Sequence, residues 1–277
     1  MKYQIIVDSS CDLLPDYLKE EDIGFKVIPL SLYIGEDEYI DDENLDVDKF
    51  VQTMNESKER IRSACPSVEA WADAYSGAEY SFVVTMTSNL SGTFNSAIVA
   101  REEMENKDKI FVFDSKSTGG SMQLIVDYIA SELKKETPIE ELVKNTEEFI
   151  ASRNLFFILH KFDNLIQNGR MSKFAGLVAK TLVIKPICTA SSIGTIEVCN
   201  KVVGSLKAYK KLTELVGTRC TDFEDRKLVI THCNNEEDAI KIKDMLCEKY
   251  AFKEVVIMPM RGLCSTYAQE KGIIVCY

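Results

Sequence analysis

The chain has 277 residues, with only two His, one Trp and six Pro, and no apolar run near the roughly 20 residues that span a bilayer. With His160 and His232 as the sole imidazoles, no His-built metal site is expected. The nine Cys are odd in number and lack any C-x-x-C spacing, which argues against a zinc site and against a disulfide scaffold. They read as small hydrophobes of a reducing compartment. Positive charge is in deficit: the net charge of −11 disfavours non-specific binding to nucleic acid or an anionic membrane. The glycine-rich phosphate signatures G-x-x-x-x-G-K-[ST] and G-x-G-x-x-G are missing, as is the G-x-S-x-G of serine hydrolases. The start, "MKYQIIVDSSCD", is too short in apolar residues for a secretory signal and meets Asp8 and Asp12 at once, so a cytoplasmic protein without stable membrane insertion is expected.

What is present is a globular composition, 45% hydrophobic and 28% charged. Apolar runs alternate with helical patterns through the first half: "YQIIVD", "YSFVVTM" and "KIFVFDS" as strands, and "DVDKFVQTMNES", "PSVEAWADAYS", "GGSMQLIVDYIASELKK" and "PIEELVKNTEEFIASR" as helices. Asp46 is placed as an N-cap. "LLPDYLKEE" predicts a short helix, Gly35-Glu36 a turn between strands, and Asp41-Asp42 a solvated turn. Such alternation implies βαβ units and a parallel sheet. Near Asn154 the pattern changes. "LFFIL", an antiparallel pair in "KPICTASSIGTIEVCNKV", then strand, helix, strand and a closing "GIIVCY" predict a mixed sheet with helices on one face. The expected class is therefore α/β with two domains, 1–153 and 154–277.

Three predicted strands end in hydroxyl-rich loops: "VDSSCD", "TMTSNLSGT" and "FDSKSTGGS". Between Thr85 and Ser96, six of twelve residues are Ser or Thr. Ligands of open parallel sheets gather at the carboxyl ends of strands, where helix N-termini offer free N–H groups to an anion. Capping accounts for one hydroxyl per loop but not for six. The cluster therefore predicts a cradle for a phosphate or carboxylate. Arg170, after the helix stop Asn168-Gly169, projects beside the apolar segment "FAGLVAKTLVI", which suits the wall of a cavity for an amphiphile with one anionic end. Two enzyme readings compete. One is a lipid hydrolase using a cluster serine, with His232 as base. The other is a small-molecule phosphotransfer subunit of the dihydroxyacetone-kinase type.

Taken in order, "VDSSCDLLPDYL", "RSACPS", "SNLSGTFNSA", "VFDSKSTGGS", "LIQNGRMSK" and "IKPI" resemble the motifs of the DegV family of bacterial lipid-binding proteins, over residues 7 to 187. The resemblance implies a two-domain fold that holds a long-chain fatty acid between its domains and performs no catalysis. The head group would be held by hydroxyls of the first domain and the tail by a tunnel of the second. It implies a partner, the catalytic subunit of a fatty acid kinase, which converts the bound acid to an acyl phosphate, and no cofactor or metal. Carried over by position, Ser63 and Ser91 bind the carboxylate, with Ser88, Gly92 and Thr93 beside them, and Arg170 presents the lipid to the kinase. Many members carry a C-terminal His near the head group. Here Cys264 and Ser265, in "RGLCSTYAQEKG", occupy that region, and Val203 stands where an Arg is frequent. Phe156, Phe174 and Leu177 are expected to shape the tunnel.

Overall fold

The computed structural model describes residues 1–171 and 184–277. A parallel sheet is assembled in the order β2-β1-β6-β7 from β1 (Tyr3–Asp8), β2 (Ile23–Ile28), β6 (Tyr80–Thr85) and β7 (Ile110–Asp114). Their continuous apolar runs suit a sheet covered on both faces. The register aligns Val7 with Val27 and Val84, and Thr85 with Asp114, so the three hydroxyl-rich loops emerge side by side from one edge. A small antiparallel sheet joins β4 (Asp37–Ile40), β3 (Ser31–Ile34) and β5 (Ile61–Ala64). Its β3–β4 turn is Gly35-Glu36, as the sequence predicts, with Gly35 at φ +63°.

The second half forms a six-stranded mixed sheet, β10-β9-β8-β13-β11-β12. Its strands are β8 (Leu155–Ile158), β9 (Ile184–Ala190), β10 (Ile196–Val203), β11 (Lys227–His232), β12 (Glu254–Pro259) and β13 (Ile273–Cys276). Helices α1 (Val47–Glu56) and α2 (Val68–Tyr75) are capped by Asp46 and Ser67, whose side chains accept from the N–H of Lys49 and Ala70. Helix α3 (Thr93–Glu102) packs with α2 on the outer face of the parallel sheet. Helix α4 (Gly120–Lys134) lies between that sheet and β11 and β13, followed by α5 (Ile139–Ala151). Gly120 makes this approach possible: a Cβ there would sit 2.5 Å from Val229 Cγ1. Past β8 come the short α6 (Asp163–Gln167), then α7 (Ser205–Val216) and α8 (Glu236–Lys249) on the outer face of the mixed sheet, and α9 (Gly262–Ala268). Among the described residues, no helix is long and apolar enough to cross a membrane.

Three expectations need correction. Residues 13–21 form turns, not a helix: Pro15 interrupts the stretch, and its one turn is closed by Tyr17 N–H to the Leu14 carbonyl. The stretch "RGLCSTYAQEKG" carries α9, which periodicity did not reveal because the helix has only seven residues. Asp41 is not solvated. It is 1% exposed, and its carboxylate accepts from the N–H of Gly262 and Leu263, both at 2.9 Å. Asp12 accepts from Arg261 N–H at 2.7 Å. Two carboxylates of the first half thus hold the opening turn of α9 and fix it against α1 and β3.

Candidate functional site

A cavity of about 860 Å³, including its open mouth, lies between the parallel sheet's loops and the mixed sheet. Strand alternation builds one wall. Leu155, Phe157 and the following Leu159 face the cavity, whereas Phe156 and Ile158 face α7 and α8. Phe156 therefore lies in the core behind the cavity, contrary to expectation. Phe174 and Leu177, with most of the apolar segment they belong to, lie outside the described residues. Helix α9 builds a second wall: Leu263, Cys264, Tyr267 and Ala268, spaced as one helical face, line the cavity. Met86 and Ile274 complete an apolar interior.

The polar lining is concentrated. Ser63 enters from β5, whose residue pairs across to Leu32. Its hydroxyl lies 2.7 Å from the Tyr267 hydroxyl. Ser91 enters from the turn after β6, its Oγ 2.8 Å from Thr93 Oγ1. Arg170 follows Gly169, which at φ +78° lets the chain reverse after α6. The guanidinium donates from Nε to the Leu90 carbonyl at 3.0 Å and from Nη1 to the Asn168 carbonyl at 2.8 Å. It sits 5.7 Å from the Tyr267 ring centroid and has no ion pair among the described residues. Its positive charge is held in the cavity wall.

The remaining predicted site residues divide. Ser88 does not line the cavity; its hydroxyl donates to Asp114 Oδ2 at 2.6 Å and its N–H to Oδ1. Thr93 is fully buried behind Ser91, and Gly92 begins α3 without lining the cavity. Ser265 points away, donating to the Met260 carbonyl at 3.3 Å. Cys264 lines the wall, but its thiol donates to the Ser10 carbonyl at 3.3 Å, and burial pushes it well above the usual thiol range. The hydroxyl of the C-terminal stretch that reaches the cavity belongs instead to Tyr267. An amphipathic aromatic three positions beyond Cys264 was the available signal.

Capping does not account for the dense hydroxyls, since α3 and α4 begin at Gly92 and Gly119 with no side-chain cap. Carboxylates organise the loops. Asp8 accepts from Met86 N–H at 2.7 Å and from Ser10 N–H at 3.0 Å, and burial raises it to about 6. Asp114 accepts from Lys116 N–H at 2.9 Å as well as from Ser88. Neither imidazole lines the cavity: His232 Nδ1 accepts from Asn235 N–H, and His160 lies beside Lys185. Among the described residues, no imidazole stands beside the cavity serines. What the arrangement offers, among the described residues, is a set of hydroxyl donors and the cations of Arg170 and Lys116 beside an apolar interior.

The family model described as an uncharacterised protein of the DegV family matches residues 2–277. A DegV domain-containing protein of Streptococcus pyogenes serotype M1 is 36% identical over 282 residues, covering 100% of this chain and 99% of its own. The solved structure of a DegV family protein from Ruminococcus gnavus, refined with vaccenic acid, has a TM-score of 0.94 at 33% identity, with 100% of this chain and 99% of that one covered. The Fatty Acid Kinase (Fak) B3 protein of Streptococcus pneumoniae, loaded with linoleic acid, has a TM-score of 0.93 at 33% identity, with the same coverage.

Proposed function

Since this chain belongs to the DegV family, as its ordered motifs indicate, we propose that it is a carrier that binds one long-chain fatty acid and presents it to a separate kinase for conversion to an acyl phosphate. The observation that carries this reading is the pairing of an apolar cavity with Ser63, Ser91, Tyr267 and Arg170 at its polar end. Each buried CH₂ contributes about 0.8 kcal/mol, so the tail supplies most of the affinity. The carboxylate is costly to desolvate unless it is hydrogen-bonded. The Ser63 and Tyr267 hydroxyls, 2.7 Å apart, rotate to donate to it, and Ser91 adds a further donor. Arg170 supplies the neutralising charge from the cavity wall. Its half-buried position keeps it at the mouth, where a partner enzyme bringing a phosphoryl group would meet the acid.

In this reading the carrier performs no phosphoryl transfer and is itself no enzyme. Its site supplies orientation and exclusion of water, with the kinase bringing the catalytic groups and nucleotide. The relatives solved with vaccenic and linoleic acid, and the naming of one of them for a fatty acid kinase, support it. The two segments of the fold, 1–153 and 154–277, act as head-group and tail domains. Native mass spectrometry of protein purified from a bacterial host tests the proposal. A long-chain fatty acid bound one to one is expected, and repeated preparations free of lipid refute it.

A further inference from the structure

The tip of the β9–β10 hairpin, residues 191–195, forms part of the cavity wall through Gly194 and Thr195. It differs from the other described walls in how it is held. β8, α9 and Met86 are embedded in the core, whereas Ile193 at the tip is 58% exposed and Ser192 is also exposed. Among the described residues, two hydrogen bonds tie the tip to the first half of the chain. Thr87 Oγ1 donates to the Gly194 carbonyl at 3.0 Å, and Asn89 Nδ2 donates to the Ile193 carbonyl at 2.6 Å. Gly194, at φ +80°, is what lets the tip come so close. A Cβ there would lie 2.2 Å from Thr87 Oγ1 and 2.9 Å from Lys116 Cα. Both tethering residues lie on the turn that also carries Ser91, whose N–H donates to the Thr87 carbonyl at 3.3 Å.

We propose that Thr87 and Asn89 are a latch, and that the hairpin tip they hold is the releasable wall through which an acyl ligand passes. The proposal rests on the carrier reading for the identity of that ligand. A segment with little apolar burial and few tethers opens at low cost, while the embedded walls do not. The latch bonds form alike with and without the acid, so they set the rate of passage and leave the affinity unchanged. The dense hydroxyls of Thr85–Ser96 thus serve two tasks, and Asn89 is a positioning residue that acts through the hairpin.

The test uses the full chain and Asn89→Ala, a change at an exposed side chain outside the cavity lining. Stopped-flow uptake and release of a fluorescent fatty acid should both accelerate about fivefold, the factor expected for one lost hydrogen bond, with Kd unchanged within twofold. Asn89→Asp, which sets an acceptor against the Ile193 carbonyl, should accelerate both at least as much. Amide hydrogen exchange at residues 191–195, measured without ligand, should quicken in both variants and in Gly194→Ala. Unchanged rates overturn the proposal, as does faster release with a proportionally weaker Kd, which would make Asn89 a support of the bound acid. Should the protein take up no fatty acid, the carrier reading fails, and the exchange measurement alone still decides the latch: unaltered exchange at the tip refutes it.

Discussion

Removing one hydroxyl from the Ser63–Tyr267 pair separates recognition of the acid from recognition of its tail. Ser63 is half-buried on a short β5 strand, so Ser63→Ala takes away a donor without opening a core cavity. A hydrogen bond to a charged group contributes about 1.5–3 kcal/mol, and each 1.4 kcal/mol is about tenfold in Kd. The affinity for oleic acid should therefore fall about tenfold to a hundredfold. Oleyl alcohol has the same tail but no charge, and its affinity should fall less than about fivefold, because bonds between neutral groups contribute about 1 kcal/mol. Tyr267→Phe should show the same pattern. The two hydroxyls lie 2.7 Å apart and share a hydrogen bond, so the double variant should lose less than the sum of the single losses. Isothermal titration of delipidated protein with both ligands measures all of these quantities. Two single variants that keep oleic acid affinity within twofold of wild type would refute the head-group assignment, and equal losses for acid and alcohol would refute the role of charge.

Three further outcomes are expected. Phe157→Trp narrows the cavity beside Ile274 and should shift the co-purified acids, identified by mass spectrometry, to shorter chains; an unchanged distribution would remove Phe157 from the tail's path. Asp41→Ala leaves the N–H groups of Gly262 and Leu263 without partners in a buried position, costing about 3 kcal/mol, or roughly 5–10 °C in Tm by calorimetry; a loss below 1 °C would contradict the pinning of α9. Burial raises the Asp12 carboxyl from its ordinary 3.8 to about 8, so the folded state holds a proton that the unfolded chain releases, and this contribution to stability is complete below about pH 4 and fades as pH rises to 8. Asp12→Asn, which keeps an acceptor for the Arg261 N–H, should flatten the fall of Tm between pH 5 and 9, and parallel curves for the two proteins would refute the assignment.

How much of the site could be read in advance depends on the range of the interactions. Asp46 and Ser67 cap helices through contacts three residues away, and their pattern is visible in any short window. The loops at the ends of β1, β6 and β7 were legible because hydroxyls follow apolar runs directly, and the order of motifs pointed to Ser63, Ser91 and Arg170, which line the cavity. Ser88 and Ser265 carry the right chemistry in the right stretches, but their hydroxyls are taken by Asp114 and by the Met260 carbonyl. Side-chain direction decides such cases, and α9 was too short to announce its phase.

The sequence by itself determined the parallel sheet, the hairpins, the helix starts capped by Asp46 and Ser67 and the convergence of polar loops, since each follows from residues within a few positions of one another. Only the tertiary structure decided that Tyr267 faces Ser63 across 204 residues, that Asp41 reaches Gly262 across 221, and that the β9–β10 tip closes on Thr87. These pairings are set by how two sheets pack around α4, and a local window of sequence holds no record of its partner on the far side of the core.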